Sequence, residues 1–261
     1  MSSDKEDQQG IQSIEVGARL LEALAQSRTS MMLRDVAAAA DMPAAKAHRY
    51  LVSFARMGLV EQHAETGRYD LGAFALHLGL SALARLEPLK LAAPMMQSLG
   101  EEIGQTVALA VWGSHGATIV RWAGSDAPVT ASLRVGSVMP LTRSATGGAF
   151  LAFLPEQTTA RFLKKELADN ARLGLKPSDK EAVQTWIEQS RRNQITRTQH
   201  FIPGISGVAA PIFDYNGTMT LALVALGYSA AFDLSLQGSV VTAVKERARQ
   251  VSERLGYKSS M

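Results

Sequence analysis

The chain breaks at Asp41-Met42-Pro43, and no other feature limits its N-terminal fold as tightly. Proline lacks the amide donor of a helix interior but fits the first turn, where that donor has no partner anyway. It also pushes the residue before it out of helical geometry. One helix, residues 33–40, therefore ends ahead of the break, and a second, residues 43–57, begins at it. Upstream, Ser13 is placed to cap a helix over residues 14–26, whose Ile14, Leu20, Leu21 and Leu24 recur near helical spacing. Residues 26–30 read as a loop, and Met32-Leu33 lead into the second helix, where the run from Ala37 to Ala40 favours close packing. Two helices joined by about three residues have helix-turn-helix spacing.

The helix after the break has two faces. Ala47, Tyr50, Leu51 and Phe54 make a core stripe, and Lys46, Arg49, Ser53 and Arg56 make a basic one at steps of three and four. No Asp or Glu lies between Pro43 and Gly58. Such a helix suits a major groove lined by phosphates, although a solvated surface helix carries the same pattern. The segment after this helix is more specific. Gly58 ends the helix, residues 59–63 read as a strand, Ala64-Glu65-Thr66-Gly67 as a turn, and residues 68–71 as the return strand. A hairpin directly after the recognition helix is the wing of a winged helix-turn-helix. It sets His63 and Arg68 near its tip, within reach of phosphate or the minor groove, and Arg34 opens the preceding helix.

Bulk charge adds little. Residues 1–80 carry eight Lys and Arg against ten Asp and Glu, and residues 81–261 nineteen against fourteen, in a chain of net charge +3. A nucleic-acid reading must rest on where the charges sit. The absence of cysteine excludes disulfides, thiolate metal sites and cysteine nucleophiles. The first ten residues are polar and lack the apolar core of a signal peptide. No apolar run approaches the roughly 20 residues of a membrane helix, so a cytoplasmic protein away from membranes is expected. His48, His63, His77, His115 and His200 lack metal-ligand spacing, and no phosphate-binding loop, nucleophile elbow or zinc-protease motif is present. Gly147-Gly148 alone is weak evidence for such a loop. The sequence predicts no enzyme, no cofactor and no metal.

Beyond residue 72 the pattern is α+β. Residues 73–86 read as a helix whose Phe74, Leu76, Leu78, Leu80, Leu83 and Leu86 cover too wide an arc for an isolated surface helix. It is either a core helix or one that pairs with a second subunit. Further helices are expected at 89–103, 146–154, 156–167, 178–193 and 234–255, and strands at 105–112, 117–123, 129–133, 195–198, 207–213 and 219–226. Tyr215-Asn216-Gly217 is a hairpin turn. Antiparallel strands with segregated helices define the class.

In several separated stretches the sequence resembles the IclR family of bacterial regulators. These are residues 11–15, 41–43, His48-Arg49-Tyr50-Leu51, Gly58-Leu59-Val60-Glu61, 65–72, 139–142, 149–155 and 203–214, in that order. The resemblance implies a winged helix-turn-helix over residues 11–72, a linker and dimerisation helix over 73–87, and a GAF-like effector-binding domain over 88–257. One departure stands out. The family carries Lys, Ser and Thr ahead of the His-Arg pair, where this chain has Ala44, Ala45 and Lys46. Two polar contacts are lost and a charge is moved one step along. Base recognition then leans on Lys46 and Arg49, since both donate to guanine, while His48 either contacts DNA or packs between helices.

Carried over by the same resemblance, the effector site comprises Ala145, Thr146, Arg197, Ile205, Gly207, Val224 and Leu226, with Trp112, Met139 and Leu141 as added wall. Gly207, Val224 and Leu226 make it wide and apolar. Arg197 is the exception: a guanidinium can grip a carboxylate through two parallel hydrogen bonds, and the amides near Thr146 and Gly147 open a helix that favours an anion. An organic acid with an apolar body, such as an aromatic carboxylate, is the expected effector, unless Arg197 is a solvated strand-end charge. The expected partners are double-stranded operator DNA, that acid, and a second copy in a homodimer or dimer of dimers. Repressor and activator both stay open. The alternative function is a small-molecule-binding protein or enzyme whose DNA-binding domain is degenerate.

Overall fold

The structure is a computed structural model that describes residues 11–27, 29–84, 87–123, 133–173, 180–199 and 201–258. It divides into two units between Leu86 and Glu87.

The N-terminal unit runs α1 (Gln12–Gln26), α2 (Leu33–Ala39), α3 (Ala44–Arg56), β1 (Val60–Gln62), β2 (Tyr69–Leu71) and α4 (Ala73–Ala84). Leu20, Leu24, Val36, Ala47, Leu51, Val60 and Tyr69 form its core. Ser13 lies inside α1, and Ile11 takes the cap position instead. The turn between α2 and α3 is closed by Met42 N–H donating to Ala37 O (3.0 Å) and Asp41 N–H to Ala38 O (3.1 Å). That geometry needs a left-handed residue, and Asp41 supplies it at φ 50°, as short polar side chains can. Pro43 is the extended cap of α3 rather than its first residue, and its carbonyl accepts the amides of Lys46 and Ala47. α1 crosses α3 at Gly17, where a Cβ would lie 2.9 Å from Phe54 Cζ. β1 and β2 pair antiparallel, and Met31, expected in no strand, bridges to Tyr69 on the outer side of β2.

α4 carries no Lys, Arg, Asp or Glu. Its Phe74, Leu76, Leu78 and Leu80 are 43%, 65%, 48% and 55% exposed. Leu86, expected to continue the same helix, lies outside the described residues.

The C-terminal unit runs α5 (Pro88–Ile103), β3 (Thr106–Gly113), β4 (Gly116–Ala123), α6 (Ala145–Phe153), α7 (Glu156–Arg172), α8 (Lys180–Asn193), β5 (Thr196–Thr198), β6 (Ile205–Phe213), β7 (Met219–Tyr228) and α9 (Ser239–Arg254). The strands form one sheet in the order β4-β3-β7-β6-β5, antiparallel at every step. The strand expected at 129–133 falls outside the described residues except for Leu133. The closing helix starts later than expected, because Asp233 Oδ1 accepts the Ser235 amide at 2.8 Å and holds a turn there.

Both faces of the sheet are covered. Ala108, Ala110, Ala209 and Val224 pack toward α6 and its fully buried Phe150. Val107, Leu109 and Val208 alternate to the other face, which α5 and α9 cover. β5 is short and pairs only with residues 207–209 of β6. Past its end β6 continues through Pro211 to Phe213, whose amide donates to Ser252 Oγ of α9 at 3.0 Å.

α6 sits unusually close to its neighbours. A Cβ on Gly147 would lie 2.1 Å from the Pro140 carbonyl oxygen, and one on Gly148 2.2 Å from Trp186 Cη2. The two glycines are packing residues at the start of a helix, not a ligand loop. Gly147→Ala is expected to lower the stability of the C-terminal unit by about 2 kcal/mol or more, as overpacking against backbone does. Calorimetric unfolding of the full chain measures it, and an unchanged transition would contradict the close approach.

Candidate functional site

The first candidate site is the outer surface of α3 with the wing. Ala44, Ala45, His48, Arg49, Ser53 and Arg56 are exposed, and Lys46 is half-buried at the side of the stripe. The polar outer face thus narrows to Arg49, Ser53 and Arg56, one turn apart at each step. Ser53 Oγ donates back to Arg49 O at 3.1 Å. His48 is exposed, and its Nδ1 lies 3.4 Å from the hydroxyl of buried Tyr69 on β2. The recognition helix is therefore tied to the wing strand. His63 is exposed where the strand turns. Arg68 is exposed but anchored, its Nη1 donating to Ser30 O at 2.7 Å. Arg34 is exposed on α2 with its Nε 3.2 Å from Asp35.

The second candidate site is the space between α6 and the sheet. Met139, Leu141, Ala145, Ile205, Val224 and Leu226 come together there in one apolar cluster, and Trp112 packs against it. Thr146 is buried in the first turn of α6. Gly207 faces the same cluster, since a Cβ on it would meet Leu226 Cδ2 at 2.6 Å and the Ala145 Cβ at 3.9 Å. The wide pocket expected here is filled: Leu226 occupies the room Gly207 leaves. The amide of Gly147, expected to favour an anion, is taken by Ser144 Oγ at 2.9 Å.

Arg197 does not belong to this cluster. Thr198, not Arg197, stands opposite Gly207 in the ladder. Directly paired residues share a face, and neighbours along a strand alternate. Arg197 therefore turns away from Gly207, and its Nη1 donates to Leu234 O at 2.5 Å. Arg197, carried to the effector site by the family resemblance, stands apart from this apolar cluster, with its guanidinium directed to the Leu234 carbonyl.

Three residues around this region carry no signal in the sequence. Arg143 precedes the Ser144 cap and lies with its guanidinium carbon 5.9 Å from the Phe201 ring centre. Trp186 of α8 donates to Arg197 O at 3.3 Å. Glu166 of α7 accepts the amides of Leu141 (2.5 Å) and Thr142 (2.9 Å) and the Thr142 hydroxyl (2.6 Å). That carboxylate pins the segment leading into α6.

Comparison with known proteins agrees with both halves of this geometry. The IclR helix-turn-helix domain matches residues 13–64, and the C-terminal domain of bacterial transcriptional regulator IclR matches residues 80–253. The chain belongs to the IclR family of bacterial transcriptional regulators, DNA-binding proteins rather than enzymes. It is 33% identical over 158 residues to the transcriptional repressor IclR of Escherichia coli, covering 60% of this chain and 58% of that one. It is 29% identical over 252 residues to the glycerol operon regulatory protein of Streptomyces coelicolor, covering 94% and 97%. The crystal structure of Pseudomonas aeruginosa HmgR superposes with a TM-score of 0.87 at 35% identity, over 96% of this chain and all of that one.

The Glu166 clamp is directly testable. Glu166→Ala leaves two backbone amides and a hydroxyl without their charged acceptor, which should destabilise the C-terminal unit by about 2 kcal/mol. Urea denaturation followed by circular dichroism reads the loss, and an unshifted midpoint would count against the clamp.

Proposed function

We propose that this chain is an effector-responsive transcriptional regulator of a catabolic operon. It binds a two-fold symmetric operator through α3 and the wing, senses a small organic acid in the unit after residue 87, and acts in the cytoplasm as a homodimer or dimer of dimers. The observation that carries the DNA part is the acid-free outer face of α3, with Arg49, Ser53 and Arg56 in line beside a wing held to it by His48 and Tyr69. Two cations two turns apart with a hydroxyl between them follow the phosphates bordering a major groove. Relatives named for repression and for the glycerol operon support a repressor of small-carbon use.

Assembly is supported by α4. A helix without charges and with four large apolar side chains in the open is stable in water only when something covers it. A second α4 related by two-fold symmetry is self-complementary and matches a palindromic operator. Residues 73–87 then serve as linker and dimerisation helix, between a DNA-binding segment over 11–72 and an effector segment over 88–257.

Two measurements test this reading. In filter binding to DNA from upstream of its own gene, Arg49→Ala and Arg56→Ala should each weaken retention and lower the salt dependence by about one phosphate contact. No sequence-specific retention by the unaltered chain would favour the alternative of a degenerate DNA-binding domain. In analytical ultracentrifugation, Leu76→Glu with Leu80→Glu should shift the chain toward monomer and reduce operator affinity at least tenfold. An unchanged sedimentation coefficient would remove α4 from the interface.

A further inference from the structure

The first turn of α3 presents two bare methyl groups where a DNA-reading helix meets its bases. The helix opens on Ala44 and Ala45, both exposed, behind the Pro43 cap. In a helix-turn-helix the N-terminal residues of the second helix contact the base edges. At about 100° per residue, Ala45 and Arg49 share the line opposite buried Ala47 and Leu51, and Ala44 lies on its flank.

The other polar side chains of this surface are engaged or set aside. Ser53 Oγ donates to Arg49 O at 3.1 Å, and His48 Nδ1 lies against the Tyr69 hydroxyl. Lys46 is half-buried at the side of the helix. Among the described residues Arg49 forms no ion pair, whereas Arg34 is paired with Asp35 and Arg68 is held by Ser30 O. A base edge under the first turn therefore meets methyl groups, with one open guanidinium a turn further on.

A methyl group set against the donors and acceptors of a base strips their water and returns no hydrogen bond, which is costly. On the major-groove edges of the four bases, the one apolar group is the C5-methyl of thymine, and alanine is among the side chains that suit it. Guanine is the matching base for a free arginine. Ala45 and Arg49 are four residues apart, about 6 Å along the helix axis, or roughly two base-pair steps.

We propose that Ala45, flanked by Ala44, is a specificity-determining residue that packs on a thymine methyl in each operator half-site, within about two base pairs of a guanine held by Arg49. The proposal rests on the regulator reading above and adds which bases the first turn of α3 selects. Readout at that turn runs through methyl packing rather than hydrogen bonds.

The test uses duplexes enriched by the full chain from a random-sequence pool. The enriched duplex is then remade with deoxyuridine for thymine in both half-sites, which removes only the C5-methyl. In fluorescence anisotropy the unaltered chain should bind the deoxyuridine duplex about tenfold more weakly or worse, from about fourfold per buried methyl in each half-site. Ala45→Ser and Ala45→Gly, at an exposed first-turn position, should each cut that ratio to about twofold or less, and circular dichroism melts check that both fold. Arg49→Ala should relax selection at the guanine. Three results overturn the readout and leave the regulator reading standing. They are equal affinity for the two duplexes, enriched half-sites without thymine, and a penalty that both Ala45 variants keep in full, which is the mark of DNA shape rather than a methyl contact. No enriched sequence at all overturns both.

Discussion

With no side chain at Gly147 and Gly148, α6 rests directly on the Pro140 backbone and the Trp186 indole. Much of the C-terminal unit follows from that seating. It brings Phe150 to the centre of the apolar cluster and fixes the distance between helix and sheet. It also makes the approach to α6 a tight one, so the residues from Pro140 to Ser144 must be held. Ser144 holds them from within, its hydroxyl donating to Pro140 O and accepting from Gly147 N. Glu166 holds them from α7. A helix seated backbone to backbone cannot shift by small increments, because interiors of this density resist continuous deformation. Ligand-linked movement would have to involve the pinned segment as a whole.

The N-terminal unit is governed by a smaller set of rules and is accordingly easier to read. Pro43, Gly58 and Gly67 are local punctuation, and each acts on the residues beside it. The helix-turn-helix and wing follow from them almost residue by residue. Charge is a poor guide by comparison. The unit is slightly acidic, but its acidic side chains lie off α3, leaving one helix face free for a polyanion.

The effector half is legible in class and element order but not in orientation. β6 and β7 are buried on both faces, so their sequences are continuous apolar runs without the alternation that reveals parity. An alignment shifted by one position is invisible in such a run, and one position moves a side chain to the opposite face. The family resemblance brings Arg197 into the effector site without its orientation, and in the ladder Thr198, not Arg197, stands opposite Gly207. Leu226, expected as a wall of the pocket, in fact fills it. Glu166 and Arg143 carry no local signal, since Glu166 meets its partners 24 and 25 residues away in the chain.

The stretch of β6 beyond β5 presents a sheet edge with no strand beside it among the described residues. Such an edge invites pairing with another chain. By the ladder's alternation the outward groups there belong to Pro211 and Phe213. Proline offers no donor at all, and the Phe213 amide is already given to Ser252. A stray strand arriving at this border would find the amide donors missing or spent. The protein therefore keeps a long, apolar strand at the border of its sheet while withholding the amide donors that a fibril would template on.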